Sequence, residues 1–218
     1  MGWSSTSETT ARAQDALSRL VTTIEACRIC VDAAGRKPLP HEPRPVLRVS
    51  ATARILVCGQ APGVRVHASG KPFTDPSGVR LRQWMGVSEK EFYDVARVAI
   101  LPMGFCFPGH DAHGGDLPPR LECARAWRAK VMARLSHVEL ILLVGSHAHA
   151  WHLGGGRSSE ANVSSTVAAW RTHLAAAKKP LLMPLPHPSW RNNAWLKRNT
   201  WFESDLVPEL RRRVRELL

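Results

Sequence analysis

The side chains with chemical capacity gather in a few short stretches. Gly59-Gln60-Ala61-Pro62-Gly63 follows the apolar run Arg54–Gly59. Its two glycines and its proline force a sharp bend and leave backbone N–H groups free to meet a ligand. Gly70–Gly78 (GKPFTDPSG) comes next and supplies an aromatic ring, Phe73, and a carboxylate, Asp75. A strand end, a turn with free donors, a ring and an acid together make a small-ligand pocket. Two readings of Asp75 stand side by side. It is either a carboxylate that polarises water at the pocket rim or the N-cap of a helix beginning at Pro76, since Asp-Pro-Ser-Gly is also a helix-start signal. Late in the chain, His187-Pro-Ser-Trp-Arg-Asn192 gathers an imidazole, a hydroxyl, an indole, a guanidinium and an amide on one loop.

Five cysteines, an odd number, argue against a disulfide framework and leave metal binding, catalysis or burial. Cys27 and Cys30 form a Cys-x-x-Cys pair, and Cys106 and Cys123 follow at wider spacing; Cys58, inside the run Ile-Leu-Val-Cys-Gly, reads as a small buried hydrophobe. His147, His149 and His152 invite a metal reading, but no third ligand of suitable spacing accompanies them, so a solvated or capping role is expected.

The elements that must position these groups follow from periodicity. Ser7 to about Ala26 has Leu17, Leu20, Val21, Ile24 and Cys27 at helical spacing, which predicts a helix that delivers Cys27 and Cys30 at its end. Residues 35–50 hold several prolines and no period, hence an extended loop, in which Arg44 and Arg48 are either phosphate contacts or solvated. Four apolar runs, Arg54–Gly59, Val95–Leu101, Leu140–Gly145 and Pro180–Leu185, alternate with helical segments near Val79–Met85, Pro119–Leu135, His147–Leu153 and Thr166–Ala177. A basic amphipathic helix, about Ser204–Leu217, closes the chain. Continuous apolar strands alternating with helices predict an α/β fold with a mostly parallel sheet covered on both faces. In such sheets ligands sit beyond the carboxyl ends of the strands, where the stretches above fall. No Gly-x-Gly-x-x-Gly follows the first strand, which excludes the usual dinucleotide site.

The length of 218 residues argues for one domain, residues 1–218. Thirty Lys+Arg against eighteen Asp+Glu leave a net charge of +12. That balance favours a polyanionic partner such as nucleic acid, beside the plainer reading of solubility charge spread over the surface. No membrane span and no secretory leader are expected, which predicts an intracellular protein.

GQAPG followed by GKPF, and then HPSWRN, resemble the two signature motifs of the uracil-DNA glycosylase superfamily. The order and spacing of Cys27, Cys30, Cys106 and Cys123 is similar to that of the family-four, iron-sulfur type. The resemblance covers roughly residues 20–205. It implies a three-layer α/β/α fold around a four-stranded sheet, and a DNA repair enzyme that flips uracil out of single- or double-stranded DNA. Such an enzyme hydrolyses the N-glycosidic bond to leave an abasic site, with no lyase step and no diffusible cofactor. It further implies a structural [4Fe-4S] cluster on the four cysteines, for which a tetrahedral zinc is the alternative, and a monomer in the cytoplasm that meets the nucleoid through DNA.

By the same resemblance, Gly59, Ala61, Pro62 and Gly63 line the base pocket, Phe73 stacks on the flipped base, and His187 donates to the anion that develops on uracil. Ser189, Trp190 and Arg191 contact DNA: a bulky group there fills the gap left by the base, while Ser189 and Arg191, with Lys197 and Arg198, grip phosphates. The departures are informative. The family-four motif has glutamate where this chain has Gln60, and the family-one motif has aspartate where it has Ala61. Asp75 is therefore the candidate to activate water, with Gln60 and then His67 as further options. The second strand lacks the asparagine that reads the base in many relatives, so base discrimination is expected from backbone groups or from Asn192 or Asn193. A catalytically weak module that binds lesions or abasic sites is the alternative function.

Overall fold

The computed structural model describes residues 4–32, 37–154, 162–176 and 179–218. Its frame is a sheet of β1 (Ile55–Cys58), β2 (Val98–Ile100), β3 (Leu140–Val144) and β4 (Leu181–Leu185) in the order β2-β1-β3-β4. Every pairing is parallel, with Ile55 opposite both Val98 and Leu140, and Leu140 opposite Leu181. The expected mostly parallel sheet is thus wholly parallel. Pro184 is tolerated inside β4 because β4 is an edge strand and a proline there removes no donor from a second neighbour.

Alternation along the strands separates two cores. Ile55, Val57, Ile100, Leu142 and Leu185 face Leu81, Trp84, Phe92, Trp170, Phe202 and Leu210. Leu56, Cys58, Ala99, Leu101, Ile141 and Leu143 face the other way, onto Leu17, Ile24 and Val131. Helices therefore cover both faces, which is why the strand sequences are apolar throughout. Leu17 and Ile24, both fully buried, dock the helix Ser4–Glu25, each burial being worth about 2 kcal/mol.

Several helices differ from expectation for identifiable reasons. The stretch expected as one helix over Pro119–Leu135 runs Leu121–Cys123, then a π turn Ala124–Arg128, then Ala129–Met132. The wider turn brings Cys123, Ala124 and Arg128 to the buried side together. Near Thr166–Ala177 the helix starts earlier, at Val163, because the Asn162 side chain caps Ser165 N at 3.1 Å, and it is interrupted at Ala169 before Trp170–Ala175; Ala177 lies outside the described residues. The closing helix begins with a π turn, Phe202–Leu206, and continues as Val207–Leu217 with Pro208 in its first turn, where a missing N–H matters least. Short helices also form at Val64–Ser69, Glu89–Phe92 and Asn193–Arg198, the second started by a capping box between Ser88 and Glu91.

Two prolific hydrogen-bonders turn out to be structural. Arg44 donates to the carbonyls of His67 (2.8 Å) and Ala68 (2.6 Å), closing the helix Val64–Ser69, and Arg48 donates to Tyr93 O at 3.1 Å. His149 and His152 are likewise not solvated. The helix Ser146–His152 follows β3 directly, so one face of it turns onto the sheet. His149, buried, meets the carbonyls of Leu143 (3.0 Å) and Leu185 (3.1 Å). His152 Nε2 accepts from Arg128 at 2.7 Å.

Arg128 is fully buried and holds together the ends of two strands. It donates to Leu101 O (3.1 Å), Pro102 O (3.0 Å) and Cys58 Sγ (3.1 Å) as well as to His152. Burial, with the adjacent guanidinium, pushes His152 from its ordinary 6.5 down to about 4. A histidine held neutral in the fold favours the folded state above about pH 6.5 and loses that contribution as pH falls toward 4. The loss is on the order of 3 kcal/mol. His152→Gln, which keeps an acceptor for Arg128, is expected to flatten this part of the stability-against-pH curve in denaturant titrations; an unchanged slope would refute the assignment.

The pocket end of the sheet is set by a strained residue. Phe73, with φ 57, is the one non-glycine in the left-handed region among the described residues, a conformation that costs roughly 1–2 kcal/mol. Tyr93 Oη donates to Pro72 O (2.7 Å) and Phe73 O (3.1 Å), and Arg82 donates to Phe73 O at 3.3 Å. The Phe73 carbonyl lies so close to Gly78 that a Cβ there would stand 1.8 Å from its oxygen. Gly78→Ala, normally favourable inside a helix by about 1 kcal/mol, is therefore expected to destabilise the protein by more than 2 kcal/mol in chemical denaturation.

Candidate active site

The loop after β1 is pinned to the loop after β2 by backbone bonds, Met103 N to Gly59 O (2.8 Å) and Gly104 N to Gln60 O (2.9 Å). Beside them opens a cavity of about 80 Å³, lined by Gly59, Gln60, Ala61, Pro62, Gly63, Phe73, Asp75 and His187, together with Pro102, Ser77 and Asp116. Residues from three strand ends thus meet in one pocket, as the parallel sheet requires. The Phe73 ring rests on Gly59, where a Cβ would approach its Cζ to 3.2 Å, and packs edge-on against Phe92 at 5.9 Å between centroids.

His187 is brought in by the loop after β4. Beside it Gly145 turns the chain at the end of β3 with φ +85, a backbone conformation that favours glycine. The Ser189 backbone N–H donates to His187 Nδ1 at 3.3 Å, which leaves the ring proton on Nε2. Burial lowers the His187 pKa, against an opposing pull from Asp75 and Asp116, so the ring is a neutral donor at physiological pH. The carbonyl of His187 in turn accepts from Asn192 Nδ2 at 2.6 Å. Asn192 does not line the pocket; its amide is committed to bracing this loop, and Asn193 Oδ1 accepts from Arg80 at 2.8 Å. Arg80 also donates to Ser189 O at 3.2 Å, so the helix Pro76–Met85 positions the histidine loop.

Asp75 is the helix cap that Asp-Pro-Ser-Gly predicts, with Oδ1 accepting from Gly78 N (3.2 Å) and Ser77 Oγ (2.6 Å), and it also borders the cavity. His67 stands outside the pocket, its ring 4.2 Å from that of His41. Asp116 is a second carboxylate on the wall; it follows Gly-Gly in a loop more than forty residues beyond the motif stretch, and nothing in its local sequence marks it. Trp190 projects from the turn after Ser189 with 72% of its surface exposed, more than any other large apolar side chain described, and Arg191 lies 5.9 Å over its ring.

Cys27, Cys30, Cys106 and Cys123 line one small cavity with Ile24, Phe105 and Trp127. All are free thiols. Trp127 Nε1 donates to Cys27 Sγ at 3.2 Å and Phe105 N to Cys123 Sγ at 3.5 Å. The Cys30–Cys123 hydrogen bond holds Cys30 down to about 7 and pushes Cys123 up, while burial pushes Cys106 up to about 12. Four soft donors around a common void fit an iron-sulfur cluster in chemistry. Among the described residues no three His, Cys, Asp or Glu side chains are grouped closely enough for a single metal ion.

The sequence model of the Uracil DNA glycosylase superfamily matches residues 48–211, well over half of the chain. The match takes in all four strands, the pocket turn after β1, Phe73 and the histidine loop, the same parts that build the cavity. Members of this superfamily are hydrolases of DNA repair that act on bases in DNA. The chain belongs to the uracil DNA glycosylase superfamily.

Proposed function

We propose that this DNA glycosylase excises uracil, leaving an abasic site without a lyase step. The observation that carries the reading is the meeting of a half-buried aromatic ring, a neutral imidazole donor and carboxylates in one cavity at the strand ends.

A base in duplex DNA is reached only after it leaves the stack. In the proposed complex the flipped uracil lies on Phe73, bounded by Gly59–Gly63, with its carbonyl groups facing backbone N–H groups of the turn. As the bond between C1′ and the base breaks, negative charge grows on the pyrimidine, and His187 Nε2–H stabilises it at O2. A preorganised donor of this kind is worth roughly 3–4 kcal/mol. A neutral imidazole suits the role because its Nε2–H is too weakly acidic to be surrendered to the anion it stabilises. Trp190, the exposed ring on the same loop, fills the space vacated by the base, offsetting an unstacking cost of a few kcal/mol. Ser189 and Arg191, beside it, contact the flanking phosphates. Gln60 orients water or the base edge through its side-chain amide.

Cys27, Cys30, Cys106 and Cys123 are proposed to hold a [4Fe-4S] cluster. When bound, the cluster supplies a structural cross-link between the end of the first helix and the loops after β2, and it takes no part in bond cleavage.

Purified protein is expected to release uracil from a labelled oligonucleotide. His187→Ala should slow single-turnover release 10²- to 10³-fold, and Phe73→Ala about 10- to 100-fold, without unfolding the protein. Tight, salt-dependent binding without release would instead identify a lesion-binding module. Trp190→Ala should reduce the rate on duplex more than on single-stranded substrate, since only the duplex must be unstacked; equal losses would refute the wedge. Iron analysis is expected to find iron with a broad visible absorbance that is lost in Cys106→Ser, whereas zinc without colour would replace the cluster by a single ion.

A further inference from the structure

We propose that Asp116 is the catalytic residue that accepts the proton of the attacking water, while Asp75 acts chiefly as a helix cap. This inference rests on the uracil-excision reading. The turn after β1, Gly59-Gln60-Ala61-Pro62-Gly63, holds no acid, so a carboxylate base must come from elsewhere in the pocket. Two carboxylates reach it, Asp75 and Asp116. They differ in their existing duties. Asp75 Oδ1 is held by Ser77 Oγ at 2.6 Å and by the Gly78 N–H at 3.2 Å, and it starts the helix that fixes Phe73.

Asp116 has no such duty in the helical frame. It is placed by a tight hairpin: Leu117 N bonds to Gly109 O (2.9 Å), Asp111 N to Gly115 O (2.8 Å), and His110 pairs with Asp116 across the bridge. Asp111 Oδ1, accepting from His113 N (2.8 Å) and Gly115 N (2.9 Å), stiffens the tip. One carboxylate oxygen of Asp116 lies 3.3 Å from His110 Nδ1. The other points at the turn itself, 3.3 Å from where a Cβ on Gly63 would be. It therefore supplies a carboxylate to the very turn whose own acid is missing. That the charge of Asp116 is felt at His187 agrees with both groups facing one space.

The step balances as a hydrolysis. The water oxygen bonds to C1′, one of its protons passes to the Asp116 carboxylate, and the C1′–N1 bond breaks with its electron pair leaving on uracil. The proton on Asp116 then returns through solvent to the uracil anion.

The test is single-turnover release from a uracil oligonucleotide by native protein, Asp116→Asn and Asp75→Asn, beside binding of the same oligonucleotide carrying a 2′-fluorinated, non-hydrolysable deoxyuridine. Asp116→Asn is expected to lose at least 100-fold in rate, with binding and melting temperature close to native. Asp75→Asn is expected to lower the melting temperature and to cost less rate than Asp116→Asn. Native-like release by Asp116→Asn, or a larger loss in Asp75→Asn at unchanged stability, overturns the assignment while leaving uracil excision standing. No release by native protein overturns the excision reading and the assignment with it.

Discussion

The pocket depends on the contact between Gly78 and the carbonyl of Phe73. No side chain fits there, and the contact forces Phe73 into the left-handed region, which lays its ring on Gly59. Tyr93 and Arg82 stabilise the peptide in that state. Because Gly78 lies in the first turn of the helix Pro76–Met85, and Arg80 two residues on holds the histidine loop, the ring and the imidazole are referenced to one rigid element. Strain of this kind persists only where the surroundings over-determine it, and here three hydrogen bonds and a steric limit do so.

A second constraint holds the strand ends themselves. Arg128 carries its charge into the core, where an unpaired ion would be costly, and disperses it over the strand-end carbonyls of Leu101 and Pro102, the Cys58 sulfur and a neutral histidine. Pro102 is part of the pocket wall, so this buried cation fixes one side of the cavity from behind. The surface cations behave differently. In the closing helix Arg212 pairs with Glu209 and Glu216, and Arg215 with Glu91, so these cations are answered within the protein, while the net +12 is the excess that its own carboxylates leave unmatched. Exposed pairs of this sort contribute little stability. Beside Trp190 the arrangement differs, with the Arg191 guanidinium 5.9 Å from the centroid of an exposed ring.

Much of this was legible in the chain. Runs such as Leu140–Val144 are apolar at every position, which only a strand covered on both faces satisfies, and the turn residues of Gly59–Gly63 marked the ligand end of β1. Phe73 and His187 could be placed in a common site from the two motifs, and the four cysteines in a common cavity from their order. The role of Asp75 as a cap was written in Asp-Pro-Ser-Gly. These signals are local: period, turn chemistry and short motifs act over a few residues, so one dimension suffices to read them.

Tertiary structure decided the rest. Asp116, Arg80, Tyr93 and Arg128 owe their positions to contacts with residues far away in sequence, and their own neighbourhoods carry no sign of them. The same holds for the redirected groups. Asn192 was a sensible candidate to read a base, yet its amide is taken by the carbonyl of His187; Arg44, though exposed, donates to two backbone carbonyls, and the buried His149 meets backbone carbonyls rather than solvent. A polar side chain is assigned by whichever unsatisfied partner the fold brings within about 3 Å of it, and that partner is unknown until the chain has closed. The sequence by itself therefore determined the sheet, the pocket end and the ring and imidazole that face it, while only the packing of distant segments decided which carboxylate and which cation complete the site.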